Sequence, residues 1–419
     1  MLLKTIVENK FNIGLIILIL CLPSTNLLSG FTGQNCSWLS DILMVVSLLF
    51  MIDFDTLFSF KLYLRNWKDL LCIVLLLWSI SSACVYERTN TSISVVYSLF
   101  SLAMAIAFAT NGEWRSKENF VRMLFYTSGV LSILCAYYLT DSFTNFDQKI
   151  NSIYYANTST IIVNRVTISA LPATCLCTCM AYKSRHNIDR IFKWLFVIFS
   201  LIAIVCVNKR GRVIAIVVYY IALLLYSTHE ISGLERKIFV RRLIYIFLVI
   251  GVIIASIHIP WVADSFGETI DSIKGAVSTL IGDTSNGTDA SAAVRYSIRS
   301  RIFSEYSSYS YVEILFGKGY MYGYLDFPLL QTFIDGGWIF GILFAIIHFV
   351  VPLRNLIGVP QSDYELFVKL FSINGILNLF YCGVPYGQGV YMYPLLVLFF
   401  LRTESKEKLI RMTEENEFI

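Results

Sequence analysis

The sequence predicts an all-α, polytopic integral membrane protein of about twelve transmembrane helices. Three observations carry that prediction. The chain of 419 residues is 56% hydrophobic and only 15% charged, with a mean hydropathy of +0.66, whereas a water-soluble domain is about 45–50% apolar and about 25% charged. Its apolar residues gather into a dozen runs near the ~20 residues needed to cross the hydrocarbon. The lysines and arginines are dense in alternate inter-run segments. A net charge of +4, from 33 basic and 29 acidic residues, gives no reason to expect nucleic acid as a partner.

Taken in order, the runs are 11–29, 38–52, 69–85, 93–110, 121–140, 161–182, 191–207, 212–227, 242–260, 327–352, 364–381 and 386–402. The first follows Lys4 and Lys10 as a secretory signal would, but the runs that continue to the end of the chain make it a retained span. The runs 38–52 and 212–227 are short, so tilt or local thinning of the bilayer must cover the mismatch. Residues 1–260 thus hold spans one to nine, 261–326 form one large outer loop, 327–402 hold spans ten to twelve, and 403–419 are a tail. With a cytoplasmic N-terminus, two-thirds of the 33 basic residues fall on the cytoplasmic side, which fits the positive-inside rule with both termini there. The chain shows no internal repeat and no low-complexity segment.

The ten cysteines are scattered through apolar runs, and Cys175, Cys177 and Cys179 are spaced by two, which points them in different directions on a helix. Without metal-type Cys/His spacing they read as small packing residues, and neither a metal nor a redox cofactor is expected. Of the four histidines, His186 and His229 fall in cytoplasmic loops and His348 near the inner end of the tenth span; only His258 approaches the outer face. Tyrosines crowd 306–324 and 381–393. They suit an interfacial belt or a sugar-binding surface of aromatic faces.

The basic residues that defy the sidedness rule are the informative ones. Most of them sit in the link 208–212, NKRGR, and in the outer loop 261–326. Within that loop Val262, Phe266, Ile270, Ile273, Val277 and Ile281 recur at helical spacing, which predicts an amphipathic surface helix. GDTSNGTD then breaks the pattern, and a second helix is predicted over about 290–309 with Asp289 or Ser291 as its N-cap. On it Arg295 and Arg299 are four apart and share a face, while Arg301 has Glu305 four residues on and is expected to form a surface ion pair. LFGKGY and then DFPLLQTFIDGGWIFG lead into the tenth span.

Arginine grips phosphate bidentately and stays charged at any relevant pH. Arg165, Arg210, Arg212, Arg295 and Arg299 at an outer membrane surface would therefore suit a lipid-linked diphosphate, although binding of ordinary headgroups and snorkelling use the same chemistry. A sugar transfer from such a diphosphate needs a group to take the proton of the attacking hydroxyl. Asp326, at a span mouth beside the Gly-rich LFGKGY, is the candidate; other loop acids read as solvated. Asp335, deeper in an apolar helix, reads as structural, bonding polar groups of a neighbouring helix.

A KRGR link opening a span, a long outer loop with an Arg-bearing helix, L-x-G-x-G, and a polar residue entering a helix with GG-x-x-x-G together resemble the O-antigen polymerase and O-antigen ligase superfamily of bacterial inner membranes. The motifs cover roughly 160–350; span count and loop layout agree over the whole chain. The resemblance implies a metal-independent, all-helical fold similar to the C-type glycosyltransferases (GT-C). Arg210 and Arg295 would contact undecaprenyl diphosphate, with Arg165 a further position at an outer helix end. The ligase branch carries a histidine just before the helix that follows the long loop, where this chain has Leu325 and Asp326. That departure favours the polymerase branch. The implied substrates are undecaprenyl-diphosphate-linked oligosaccharides as donor and acceptor, in contact with membrane lipid, and the resemblance allows a polysaccharide chain-length regulator as partner. The rivals are ligation to lipid A core, or, in a different class, flipping or transport of the same lipid.

Overall fold

The computed structural model describes residues 9–59, 62, 67–85, 91–112, 114, 116–144, 165–184, 186–207, 210–228, 290–322, 325, 327–381 and 385–417. Among them every regular element is helical. In chain order these are α1 (Lys10–Thr32), α2 (Ser37–Met51), α3 (Phe54–Phe58), α4 (Trp67–Val85), α5 (Thr91–Ala109), α6 (Lys117–Thr144), α7 (Arg165–Ile168), α8 (Ala170–Ala181) and α9 (Asn187–Val207). Then follow α10 (Arg210–Thr228), α11 (Ala290–Tyr306), α12 (Tyr311–Phe316), α13 (Pro328–Asp335) and α14 (Gly337–Ala345). A π turn (Ile346–Val350) joins α14 to α15 (Val351–Asn355), and α16 (Asp363–Tyr381) and α17 (Gln388–Glu417) complete the chain. Among the described residues four stretches are long and apolar enough to cross a membrane: Lys10–Thr32, Trp67–Val85, Lys117–Thr140 and Gly337–Asn355.

The bundle is apolar outside as well as inside. Trp38, Ile42 and Leu49 on α2, Leu70 and Leu77 on α4, and Ile188, Ile191 and Ile198 on α9 all face outward, an exterior that suits lipid rather than water. Inside, small residues let backbones approach and small hydroxyls join helices. A Cβ at Gly14 would meet Ser47 O at 2.7 Å, and Ser47 Oγ donates to Gly14 O at 2.7 Å, so α1 and α2 form a close hairpin. Ser128 pairs with Thr178 at 3.2 Å and Ser132 with Ser200 at 2.8 Å, tying α6 to α8 and α9. α16 is the central mast, packed against α6, α8, α10, α13, α15 and α17. It is buried along most of its length, Glu365, Lys369, Ser372 and Asn374 included.

Two expectations are corrected. The run 327–352 is not one helix: α13 stops at Asp335, and α14 restarts at Gly337 with φ +68°, a left-handed conformation that glycine adopts without a Cβ penalty. The helix expected over about 290–309 starts at Ala290 as expected but ends at Tyr306; Ser291 lies inside its first turn, and Asp289, the other expected cap, lies outside the described residues. The break at 282–289, the amphipathic segment 262–281 and the ninth run 242–260 lie outside the described residues. Pro352 explains the π turn: it has no N–H to offer the carbonyl of His348 four residues back, and its ring would strike that carbonyl in a regular helix. The described cysteines are free thiols, all buried except Cys84.

Candidate functional site

The sequence-selected arginines fall at helix starts and on the loop helix. Arg165 opens α7, Arg210 opens α10 with Arg212 in its first turn, and Arg295 and Arg299 lie one turn apart on α11. Their backbone is described and their side chains are not; Asp326 and His258 lie outside the described residues. Arg301 forms the expected pair with Glu305, at 3.7 Å and largely exposed.

What the structure builds in detail is a clasp between the LFGKGY segment and the end of α13. The last carbonyls of a helix have no partner within it. Here the loop supplies them: Lys318 N–H donates to Ile334 O at 2.9 Å and Gly319 N–H to Asp335 O at 3.0 Å. The fit needs glycine on both sides. A Cβ on Gly317 would collide with the Asp335 carbonyl, and one on Gly337 with the Leu315 carbonyl.

The buried Asp335 carboxylate completes the clasp by accepting four hydrogen bonds. Met321 and Tyr322 donate backbone N–H groups, both at 3.0 Å, while Gln331 Nε2 and the Tyr386 hydroxyl each donate at 2.7 Å. Tyr320 packs its ring on Tyr386, centroids 4.5 Å apart. One carboxylate therefore joins the 317–322 loop, α13 and the segment leading into α17; it is structural as expected, but its partners come from a loop, its own helix and that segment rather than from a neighbouring helix. A buried polar group so completely partnered rigidifies what it joins.

The clasp carries α11 with it. Ile302 of α11 packs on Ile334 and Leu325, with Ile298, Tyr306, Tyr322, Phe327 and Leu330 around them, and Tyr322 Oη donates to Glu305 Oε2 at 3.2 Å. Leu325 N–H donates to Gln331 Oε1 at 2.9 Å, and the Phe327 ring lies 5.7 Å from Phe380. Both neighbours of Asp326 are thus held at the mouth of α13, beside the helix that bears Arg295 and Arg299.

Lys318, between its two glycines, is engaged within the protein. Its ammonium pairs with Glu313 and lies over the Tyr309 ring at 4.4 Å. Glu313 also caps α12, accepting from the Ser310 N–H at 2.8 Å in a capping box. Its carboxyl is held down at about 2, first by the Lys318 hydrogen bond and then by those from Ser310. Burial pushes the Tyr309 hydroxyl up to about 12.

Away from this end, ionisable groups also lie inside the bundle. Asp69 pairs with Arg402 at 3.5 Å, and Glu365 with Lys369 at 3.1 Å. His348, in the π turn, is buried and stacked on Phe344 with centroids 3.8 Å apart and edge-on to Tyr391 at 4.6 Å. Its Nδ1 faces Phe344 O at 3.2 Å, and its Nε2 has no hydrogen-bond partner among the described residues. Among the described residues no group of three His, Cys, Asp or Glu side chains is placed to hold a metal ion. Compared with known proteins, the chain matches no family model, no curated protein and no solved structure.

Sequence reasoning missed Tyr386 and the partners of Asp335. A signal was present in the Gln331–Asp335 spacing of four and in the paired motifs GKG and DGG, each of which permits close backbone approach.

Proposed function

We propose that this chain is an O-antigen polymerase, a twelve-span, GT-C-like glycosyltransferase of the bacterial inner membrane with both termini in the cytoplasm and its site facing the periplasm. It transfers the growing glycan from undecaprenyl diphosphate to the non-reducing end of a new lipid-linked repeat unit. Arg210 and Arg295, aided by Arg165, Arg212 and Arg299, hold the diphosphate of the donor. An acceptor hydroxyl attacks the anomeric carbon, its proton passes to Asp326, and the bond from that carbon to the phosphate oxygen breaks with inversion. Fixed positive charge stabilises the departing diphosphate, and no metal is invoked. The observation that supports this reading best is the clasp: it fixes the Arg-bearing helix α11 and both neighbours of Asp326 at one end of the bundle.

The test is polysaccharide laddering in a strain lacking the native gene. Arg210→Ala and Arg295→Ala are expected to abolish long chains, since removing one partner of a desolvated charge pair costs about 2–5 kcal/mol. Arg210→Lys is expected to fail as well, because a point charge does not reproduce a bidentate grip. Normal ladders from both alanine variants would refute the site. Loss of a polymerase leaves core capped by a single repeat, whereas loss of a ligase leaves bare core.

A second reading, transport of the same lipid, draws on His348. A buried imidazole about seventeen ångströms along the helix from Gly337, at 1.5 Å per residue, lies near the middle of the Gly337–Asn355 span. Ionisable groups at such depth mark ion or proton pathways in many transporters.

A further inference from the structure

Helix α12 is six residues long, and none of them is buried. Tyr311 is 87% exposed and Val312 67%, with Leu315 and Phe316 about half exposed. Its position explains where such a face belongs. The Leu315 and Phe316 backbone lies directly against Gly337, the first residue of the Gly337–Asn355 span. The next outward residues of that span, Trp338 and Ile342, are likewise half exposed. The apolar surface of α12 is therefore continuous with the outward face of a helix that has the length and hydropathy to cross a membrane.

Charge and aromatic placement agree. The two ionic groups attached to α12, Glu313 and Lys318, neutralise each other, so the shelf presents no net charge to a low-dielectric phase. Trp338 donates its Nε1–H to Tyr306 Oη at 2.6 Å, which leaves the indole free of an unmet donor. Tyrosine and tryptophan concentrate at the boundary between headgroups and acyl chains.

From this continuity we propose that α12 is an interfacial foot, embedded in one leaflet of the bilayer with Tyr311, Val312, Leu315 and Phe316 against lipid. An apolar helix face in such a position sinks about 5–10 Å into the headgroup–acyl boundary. Through the Gly317–Asp335 clasp, the foot sets the clasp itself at headgroup depth. The inference depends on the chain crossing a membrane and is independent of the glycosyltransferase reading.

The experiment is site-directed spin labelling of the full chain in nanodiscs of phosphatidylethanolamine and phosphatidylglycerol. Labels are placed at Val312→Cys and Phe316→Cys in a Cys84→Ser background, with Ile342→Cys as the lipid-facing reference and Ser300→Cys, exposed on α11, as the reference beyond the bilayer. Collisions with oxygen, which partitions into lipid, are compared with collisions with a water-soluble nickel chelate. The oxygen-to-nickel ratio at 312 and 316 is expected to exceed that at 300 and to approach that at 342. A nickel-dominated ratio at both positions would overturn the proposal, showing an aqueous face. Labels immobilised and shielded from both reagents would also overturn it, because they would show a protein partner or a second copy on α12. Should either variant fold poorly, Tyr311→Cys, the most exposed position, takes its place with the same readings.

Discussion

Asp335 and His348 are both buried polar side chains on the same apolar stretch of chain, thirteen residues apart, and their surroundings are opposite. The carboxylate at the head of the span accepts from four donors drawn from three segments. The imidazole in the π turn has, among the described residues, one hydrogen-bond contact, to the carbonyl of its own helix, and a ring nitrogen with none. A hydrogen bond contributes only about 0.5–1.5 kcal/mol net, while a buried group left without one costs about 1–3 kcal/mol. The first site is therefore one on which the architecture depends, and the second is tolerated by it. Burial of a polar residue says little by itself; the number of partners decides which kind of site it is.

That contrast breaks most visibly at its strong end. Asp335→Ala removes both acceptor oxygens and strands four donors, and since a buried donor left unmet costs about 1–3 kcal/mol, the expected loss is at least about 3 kcal/mol. The reading is a large drop in the thermal midpoint of the detergent-solubilised protein, and a midpoint within a degree or two of the parent would show that the clasp is not what holds this end together. At the weak end, His348→Phe keeps the stack on Phe344 and the edge contact with Tyr391 while deleting the unpartnered nitrogen. Stability is expected to change by less than about 1.5 kcal/mol, the range of volume-conserving core exchanges. Under the polymerase reading chain length is also unchanged; complete loss of function in a protein of normal stability would instead move the balance to transport.

The smallest effect belongs to Glu313. Its carboxyl titrates at about 2 in the folded chain against an ordinary value of 4.5, so its stabilising contribution is complete above 4.5 and is lost as the pH falls through about 2. Mobility of a spin label on α12 should accordingly be flat from neutrality down to 4.5 and rise only below it. In Lys318→Met, which removes the largest cause of the depression, the rise should still begin near 4.5 but be smaller and complete at higher pH. An unchanged profile in that variant would remove Lys318 from the account.

Much of the architecture was legible because it is local. Apolar runs become helices within a few residues of their sequence limits in α1, α2, α4, α5, α6, α9 and α10, whereas α3 lies outside every run and the run 161–182 is divided between α7 and α8; Arg301 finds Glu305 because four residues make one helical turn. The tenth run defeated the same reading. Hydropathy counts Gly336 and Gly337 as neutral and carries no information about a positive φ, so a helix break looked like continuous helix. The clasp was illegible for a different reason: Tyr386 is 51 residues from Asp335, and Met321 and Tyr322 are 14 and 13 residues away. Only the folded chain brings them together. α12 escaped notice because its six residues are too few for a period to emerge, while its capping box, Ser310 with Glu313, was there to be read. The arginines and Asp326 remain a chemical inference from residue type and sidedness.

The π turn gives the span a mechanical property that hydropathy does not record. Downstream of it, Tyr226 Oη donates to Leu356 O at 2.9 Å and Lys369 Nζ to Gly358 O at 2.7 Å, which pins the exit of α15 to α10 and α16. Each residue of an α-helix advances the winding by about 100°. The π turn, whose bonds span five residues instead of four, takes in one residue more than an α-helix without that advance, so α14 and α15 keep the phase on which both pins depend. The segment behaves as a keyed shaft, in which angular phase matters more than reach.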